Sequence, residues 1–257
     1  FFMSCIDELT VNLTELFRNN EVWQILQEEV KVRRVLIGTP ALDGKVQAWY
    51  ADSLSNSIKV CAGNGIDLQP VILIDESILP MARNELLNIA YQDNYESIVF
   101  IDADQVWDAR ALLDVINSQH DVIGLPVVSK TDEPGNFNVK LKGIDQIEKD
   151  EQGNIKVDAV GTGFLKLSRK ALEALWNSNP TTLFRGKELK LICEYATNYN
   201  EFVGEDIYLC TKLKELEFDI WINPNATCAH IGSKVWMGNF AHFLEFLTTQ
   251  QPEEIQE

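Results

Sequence analysis

The chain has 257 residues, enough for one large domain with a sizeable core or at most two small ones. Its formal net charge of −17 argues against broad non-specific binding to a polyanion, which needs clustered lysine and arginine, although a local basic groove stays open. No apolar run approaches the roughly 20 residues of a membrane helix. The N-terminal segment also lacks the basic and apolar regions of a signal peptide, so no membrane partner is expected.

The cysteine pattern predicts a reducing compartment. The five cysteines are scattered, odd in number and without Cys-x-x-Cys spacing; they are Cys5, Cys61, Cys193, Cys210 and Cys228. This argues against both a zinc cluster and a disulfide framework, and a cytoplasmic location fits best.

The first half of the chain alternates between strand and helix patterns. An amphipathic helix is predicted over 4–31. Short apolar runs that end at glycine, proline or acidic residues then predict strands, and helical spacing predicts the segments between them. The strands are predicted at 33–40, 68–77, 97–104 and 121–128, and the helices within 43–65, after a loop and before a Gly-Asn-Gly stop, at 77–94 and at 108–119. Such alternation predicts an α/β fold with right-handed crossovers and a mostly parallel sheet.

From residue 129 onward the pattern changes. Antiparallel strands are predicted with turns at Pro134-Gly135 and at 152–154, and the polar stretch 181–202 is interpreted as a mobile loop. Helices are predicted at 168–177, 205–218 and 233–250, a strand at 219–224, and a disordered tail at 251–257. Because there is no internal repeat and no long linker, residues 1–257 are predicted to form a single domain.

The stretch "SIVFIDADQVW" (97–107) places two carboxylates where a buried strand ends. Ligands of an open parallel sheet bind beyond the carboxyl ends of its strands, and residues i and i+2 of a strand point to the same side. Asp102 and Asp104 would repel each other unless a cation lies between them. Mg²⁺ or Mn²⁺, which prefer oxygen ligands, would serve and would also hold a diphosphate. The alternative is two solvated loop acids that cap the helix beginning near Asp108.

Two further stretches have polar or flexible residues beside apolar strands. In "VGTGFLKLSRKAL" (160–172), Gly161 and Gly163 flank Thr162 and would let a substrate approach the backbone, or they form a plain tight turn. Glu205 and Asp206 begin a predicted helix, where acids also serve as caps and complement the helix dipole.

Of the three histidines, His230 alone follows an apolar strand beside a glycine, at Gly232. A lone histidine is more often structural than a ligand. His120 and His242 are expected to be surface or packing residues.

Taken in order, these parts resemble the GT-A glycosyltransferases, which move a sugar from a nucleotide donor to an acceptor. "RRVLIGTP" is similar to their first nucleotide-binding strand, "MARNELLNIAYQ" to their Arg-Asn helix start, and "SIVFIDADQVW" to their Asp-x-Asp strand. "VGTGFLKLSRKAL" resembles their acceptor-side strand, and "GEDIYLCTKLKELEFDIWINPNATCAHIG" their Glu-Asp helix with a closing histidine. The resemblance runs from about residue 33 to 233, and it is closest to short members encoded by bacteriophages, some of which are thought to glycosylate modified cytosine in viral DNA.

The resemblance implies a fold and a division of labour. The fold is a Rossmann-like α/β domain with a mixed, mostly parallel sheet between helices and an antiparallel acceptor-side portion. Residues 32–128 would form the nucleotide-sugar-binding half and 129–233 the acceptor half, followed by a C-terminal helix and tail at 234–257. The donor would be a nucleoside-diphosphate sugar, with UDP favoured, and the cofactor Mn²⁺ or Mg²⁺. A phage-encoded protein would act in the host cytoplasm.

The resemblance also implies roles for donor-side residues. Asp104 would bind the metal directly, Asp102 would hold the ribose or the metal through water, and His230 would be the third protein contact to the metal. Arg83 would pair with a carboxylate or phosphate, although "MARNELL" (81–87) is also ordinary helix packing. The base and ribose would be bordered by Thr39, Pro40 and Asp75. "IDES" lacks the doubled aspartate of some members, which weakens the role of Asp75.

On the acceptor side, Gly161, Thr162 and Gly163 would line the sugar and acceptor pocket, and Asp206, rather than Glu205, would be the general base. A metal held by acids and a histidine stabilises the departing diphosphate, and a carboxylate takes the proton of the acceptor hydroxyl. This pair of roles describes an inverting displacement, whereas a retaining enzyme would not need Asp206 as a base.

Two other functions fit parts of the sequence. A nucleotidyltransferase also uses paired aspartates on an α/β sheet, but "GTPALDGK" (38–45) is only a faint version of its phosphate loop. A non-catalytic binding protein could keep the fold, although an intact Asp-x-Asp with His230 argues against it.

The acceptor is open. Hydroxymethylcytosine in DNA, a glycan and a protein are all candidates. The net charge counts against DNA, but "VKLKG" (139–143) with Lys187 and Lys190 could line a local groove for phosphates. Tyr195, Tyr199, Trp236 and Phe240 could stack on a base or sugar, or belong to the core.

Overall fold

The structure is a computed structural model that describes residues 32–133, 135–143, 146–198 and 201–249. The helix predicted at 4–31 and the tail at 251–257 lie outside the described residues. Residues from Arg34 onward cluster as one compact unit. None of the helices in the described ranges has the length and apolar character needed to span a bilayer.

Short strands and six helices make up the described residues. The strands are β1 (Arg33–Ala41), β2 (Ile66–Ile74), β3 (Ser97–Ile101), β4 (Gln105–Val106), β5 (Val122–Gly124), β6 (Val139–Lys140), β7 (Ile155–Val157), β8 (Ala159–Val160), β9 (Phe164–Ser168), β10 (Thr181–Phe184), β11 (Lys187–Lys190), β12 (Ala196–Asn198), β13 (Glu201–Val203), β14 (Ile220–Ile222), β15 (Thr227–Ile231) and β16 (Val235–Asn239). The helices are α1 (Ala48–Ala62), α2 (Leu79–Gln92), α3 (Ala109–Asn117), α4 (Arg169–Ser178), α5 (Glu205–Glu215) and α6 (Phe240–Thr249).

A mixed seven-stranded sheet forms the centre, with strand order β2-β1-β3-β9-β5-β14-β7. Strand β1 is parallel to β3, and β5 is parallel to β14. Strand β9 runs antiparallel between β3 and β5, and β7 pairs antiparallel with β14 at one edge. The mixed α/β fold expected from the sequence is therefore confirmed.

Both faces of the sheet are covered because neighbouring residues of a strand point to opposite sides. In β3, Ile98 and Phe100 join a core that includes residues of α2, α4 and α5. Val99 and Ile101 join a second core with α1 and α3. All four side chains are fully buried, which explains why this strand is a continuous apolar run.

Two expectations about the second half are wrong. The stretch 181–202, expected to be a mobile loop, contains the hairpins β10–β11 and β12–β13. Arg185 and Gly186 join the first hairpin with φ angles of 50° and 79°, the left-handed conformation of a two-residue type I′ turn. The helix expected at 233–250 begins only at Phe240, since Val235–Asn239 is strand β16, paired with β15.

Candidate functional site at the carboxyl edge of the sheet

The two aspartates lie in a turn rather than in a strand. Strand β3 ends at Ile101, the backbone N–H of Gln105 donates to the carbonyl of Asp102 at 3.1 Å, and that of Asp102 donates to Gly163 at 3.1 Å. The alternation of a strand therefore does not orient Asp102 and Asp104. Both nevertheless line one cavity of about 360 Å³, together with Pro40, Asp43, Lys45, Val46, Gln47, Leu79 and Ala103.

Asp104 and His230 meet because strand β15 pairs with β4, which follows the turn directly. The backbone N–H of Ile231 donates to the carbonyl of Asp104 at 2.8 Å. His230 Nε2 lies 3.4 Å from Asp104 Oδ1, and its Nδ1 lies 2.9 Å from the carbonyl oxygen of Val128. A carbonyl only accepts, so Nδ1 carries a hydrogen, and in the tautomer with a single ring hydrogen the Nε2 lone pair points toward the carboxylate.

This arrangement fits a divalent cation. Asp104 Oδ1 is buried and has no hydrogen-bond partner. Two lone pairs that face each other are favourable only with a cation between them or with a proton on Nε2. A histidine that donates its other ring nitrogen to a backbone carbonyl is the usual arrangement at protein metal sites. Mg²⁺ and Mn²⁺ also accept a small number of protein ligands when water and substrate phosphates supply the others.

The described residues contain no group of three or more histidine, cysteine and acidic side chains arranged to hold a metal. The predicted set of Asp102, Asp104 and His230 is thus only partly assembled. Asp104 and His230 face each other, while Asp102 Oδ1 accepts from Arg83 at 3.0 Å. Asp102 borders the same cavity as Asp104, but its carboxylate pairs with Arg83 and not with His230.

Lys130 places a positive charge beside Asp104. Its Nζ lies 2.5 Å from Asp104 Oδ2, on the oxygen that His230 does not face. Burial would raise the pKa of Asp104, but its interactions with His230 and Lys130 outweigh burial and lower the pKa below its ordinary value. Asp104 is therefore held as a carboxylate. The sequence offered no signal for Lys130, which lies in a loop far from Asp104 along the chain.

Arg83 connects the two acidic motifs. Its side chain is 2% exposed, and it pairs with Asp102 at 3.0 Å and with Glu205 at 3.4 Å. Burial alone would lower the pKa of Arg83, but attraction by these two carboxylates raises it, so the guanidinium stays charged. Pairing with a carboxylate was one of the two roles expected for Arg83. Contact with a donor phosphate stays a prediction.

Glu205 and Asp206 occupy different environments at the start of α5. The side chain of Glu205 is 11% exposed and committed to Arg83. Asp206 is half-buried, and its Oδ1 accepts from the adjacent backbone N–H of Ile207 at 2.8 Å. Of the two, Asp206 has the less committed carboxylate and the better access to an acceptor.

The residues expected around the base and ribose lie at different depths. Pro40 borders the cavity. Thr39 is fully buried, and its hydroxyl lies 2.5 Å from that of Tyr50. Asp75 is exposed, has a φ of 62°, and its backbone N–H donates to Leu42 at 3.2 Å, but it does not line the cavity.

The glycine stretch lies beneath Asp102. Gly161, Thr162 and Gly163 are all buried. A Cβ at Gly163 would come within 3.1 Å of Asp102 Oδ2, and one at Gly161 within 2.3 Å of Asn138 Nδ2. These glycines therefore make room for protein side chains. Contact with a sugar or acceptor stays a prediction.

Asn84, beside Arg83 on α2, is a residue whose role the sequence interpretation missed. Its Oδ1 accepts from the backbone N–H groups of Ile192 at 3.1 Å and Cys193 at 2.7 Å, and its Nδ2 donates to the carbonyl of Cys193 at 2.8 Å. Asn84 thereby ties the start of the second hairpin region to α2. The Arg-Asn pair was the available signal, but only its arginine was given a role.

Comparison with known proteins gives structural likenesses only. No model of a known protein family matches the chain, and no curated protein matches its sequence. Among solved structures, the chain is similar to the A197 protein of STIV with a TM-score of 0.49 and 17% identity, over 80% of this chain and 94% of that one.

Two further solved structures are also similar to the chain. One is a glycosyltransferase involved in the glycosylation of the major capsid of PBCV-1, with a TM-score of 0.31 and 10% identity, over 56% of this chain and 65% of that one. The other is GalNAc-T7 with UDP, GalNAc and Mn²⁺, with a TM-score of 0.44 and 10% identity, over 80% of this chain and 45% of that one. Similarities at this level are no basis for assigning an activity, so function has to be inferred from the side chains of the site.

Proposed function

We propose that this protein is a metal-dependent glycosyltransferase of the GT-A type that moves a sugar from a nucleoside-diphosphate sugar, with UDP as the nucleotide, to an acceptor hydroxyl. The observation that carries the proposal is the unpartnered, buried Asp104 Oδ1 facing His230 Nε2, with His230 Nδ1 committed to a backbone carbonyl. Asp104 borders a cavity at the carboxyl edge of the sheet, where α/β folds bind nucleotides.

The chain's own residues divide the donor-side work. Asp104 and His230 would hold Mn²⁺ or Mg²⁺, which when bound neutralises charge on the departing diphosphate. Lys130 lies close enough to Asp104 to add a second positive charge beside the phosphates. Arg83 keeps Asp102 in place and, through Glu205, links the donor edge to the start of α5.

The transfer step then needs a base on the acceptor side. The acceptor oxygen attacks the anomeric carbon, the bond from that carbon to the phosphate oxygen breaks, and its electron pair leaves with the nucleoside diphosphate. Asp206 takes the proton of the acceptor hydroxyl, since its carboxylate is the more accessible of the two acids at the start of α5. A direct displacement of this kind inverts the anomeric centre.

Calorimetric titration with UDP and a panel of UDP-sugars, with and without Mn²⁺, tests the donor site. We expect binding that requires both Mn²⁺ and Asp104 and that is lost in Asp104→Asn. Asp52→Asn is the matched control, because Asp52 is an exposed aspartate on α1 and loses the same charge. UDP binding that is equally strong without metal and is lost in Lys130→Met would assign the phosphate charge to Lys130 instead.

The products separate transfer from the two alternative functions. Release of free UDP from a UDP-sugar indicates sugar transfer or hydrolysis, whereas consumption of a nucleoside triphosphate with release of pyrophosphate indicates a nucleotidyltransferase. Absence of any nucleotide binding with Mn²⁺ present favours a non-catalytic binding protein. Hydroxymethylcytosine DNA, a glycan and a protein are the acceptors to compare, in each case by transfer of a radiolabelled sugar.

A further inference from the structure

An exposed aromatic pair lies on the hairpin β12–β13. The ring centroids of Tyr195 and Phe202 are 5.2 Å apart, with the planes tilted by 41°. Tyr195 is 49% exposed and Phe202 is 70% exposed. Core packing does not explain two large rings that contact each other while leaving about half or more of their surface to solvent, because apolar surface of this size is normally removed from water.

The chain segments before Tyr195 and after Phe202 are both hydrogen-bonded to residues of the candidate active site. Before Tyr195, the backbone of Ile192 and Cys193 is held by three hydrogen bonds to Asn84. After Phe202, Glu205 is held by Arg83, which also bonds Asp102. Arg83 and Asn84 are consecutive residues of α2, so the aromatic pair is fixed to the same short segment that positions the donor-side carboxylate.

The pair is also close to the proposed base. Asp206 lies four positions after Phe202, and an extended chain spans at most about 14 Å over four positions. An oligosaccharide stacked on the rings could therefore present a hydroxyl to Asp206.

Two acidic residues flank the pair along the chain. Glu194 precedes Tyr195, and the exposed Glu201 precedes Phe202. The nearby ammonium of Lys212 is occupied, because it donates to Glu194 at 2.8 Å and also to Asn179 Oδ1 and to the carbonyls of Leu191 and Ile192. Such a surface repels a chain of phosphates, whereas carboxylates accept hydrogen bonds from the hydroxyls of a neutral sugar.

We infer that Tyr195 and Phe202 form a stacking platform for the acceptor, and that the acceptor is a neutral saccharide rather than DNA. The inference rests on the proposed transferase function. Aromatic rings present apolar faces on which the C–H face of a sugar ring packs, while the flanking acids fix its hydroxyls. The platform binds and orients the acceptor, and Asp206 takes the proton of the acceptor hydroxyl.

Saturation-transfer NMR with maltotriose, cellotriose and chitotriose tests the platform directly, with a single-stranded oligonucleotide containing hydroxymethylcytosine as the competing probe. We expect at least one trisaccharide to receive saturation from wild-type protein. The double variant Tyr195→Ser/Phe202→Ser should bind it about tenfold more weakly. Leu183→Ser is the control, because Leu183 is an apolar residue that is 72% exposed on the preceding hairpin, β10–β11.

Four results would be decisive. Equal saccharide binding by wild type and the double variant overturns the inference, and so does binding of the oligonucleotide without any of the saccharides. Absence of saturation transfer to all three trisaccharides also overturns it, while metal-dependent UDP binding would leave the donor proposal intact. Saccharide binding that depends on the pair in a protein that binds no nucleotide would support the platform and contradict the transferase.

Discussion

The carboxyl edge of the central sheet and the hairpin β12–β13 hold their side chains in opposite ways. At the edge, Arg83 is 2% exposed and paired with two carboxylates, and His230 is hydrogen-bonded to the carbonyl of Val128 on one side and faces Asp104 on the other. On the hairpin, Tyr195 and Phe202 are exposed, and their rings contact each other.

The difference shows that charged side chains and aromatic side chains are held in separate regions of this molecule. On the proposed function, the charged groups of the edge would stabilise a leaving diphosphate, and such groups are most effective when the fold holds them in place in surroundings with little water. Groups that bind a neutral acceptor need surface area, and they can stand on an exposed hairpin without cost to the core. Substitutions at the carboxyl edge should therefore affect the stability of the fold or the reaction of the donor. Substitutions on the hairpin should affect only the binding of the acceptor.

The largest effect on stability is expected for Arg83→Met. The substitution leaves Glu205 and Asp102 without their shared cation, and breaking such a buried pair costs about 3–5 kcal/mol. For a domain of this size the melting temperature should fall by roughly 6–20 °C, measured by calorimetry. Arg83→Met combined with Glu205→Gln should recover part of the loss. A melting temperature equal to that of wild type would show that the ion pairs contribute nothing to the fold.

Asp104→Asn should separate chemistry from stability. It keeps the shape of the side chain but removes the carboxylate that faces His230 and Lys130, so we expect kcat to fall by about 10²–10³-fold. The melting temperature should stay close to that of wild type. Release of UDP from the best donor provides the assay, with Asp52→Asn as the charge-matched control. Wild-type turnover in Asp104→Asn would remove Asp104 from the mechanism.

Tyr50→Phe tests the buried hydrogen bond between the hydroxyls of Tyr50 and Thr39. The Thr39 hydroxyl would be buried without its partner, at a cost of about 1–3 kcal/mol in the free energy of unfolding by urea. Burial raises the pKa of Tyr50 to about 12, so the phenol stays neutral and the effect should not vary over ordinary pH. Tyr50→Phe with Thr39→Val should be more stable than the single variant. The opposite order would mean that Thr39 has another partner.

A smaller, pH-dependent effect is expected at Asp150, away from both regions. Burial would raise its pKa, but hydrogen bonds from Asn154 and His120 outweigh burial and lower the pKa from 3.8 to about 2. Because the folded pKa is the lower one, this carboxylate stabilises the fold above about pH 4, and the contribution is lost as the pH falls toward 2. Unfolding by urea between pH 5 and 2 should show a steeper loss in wild type than in Asp150→Asn. Parallel curves would contradict the assignment.

The smallest effect on stability is expected on the hairpin. Phe202→Ser removes an exposed ring, so the free energy of unfolding should change by no more than about 0.5 kcal/mol, as for Leu183→Ser. The donor titration should also be unchanged. A large loss of stability would show that Phe202 is a packing residue and would weaken the contrast between the two regions.

The first half of the fold was predictable because its strands are short apolar runs buried on both faces. The expected strand at 97–104 corresponds to β3, which ends at Ile101, and the expected helix at 108–119 corresponds to α3. The Asp-Ala-Asp motif was located correctly at the strand end, although the turn that holds it follows from the hydrogen bond between Gln105 and Asp102, which no spacing reveals.

The second half was harder because its elements depend on contacts distant along the chain. The hairpins at 181–203 have mixed polar and apolar residues, and the Arg185-Gly186 turn was their only local signal. Strand β16 needs β15 beside it, so "VWMGN" alone was assigned to the following helix. The contact of Lys130 with Asp104 likewise comes from the fold, since the two residues lie 26 positions apart.

Manganese binding followed by electron paramagnetic resonance, in the presence of UDP, tests the central claim most directly. We predict one bound Mn²⁺ for each chain, with a coupling to nitrogen that disappears in His230→Gln, and loss of binding in Asp104→Asn but not in Asp52→Asn. Mn²⁺ binding that is the same in wild type, His230→Gln and Asp104→Asn would contradict the assignment of this edge as the metal and donor site.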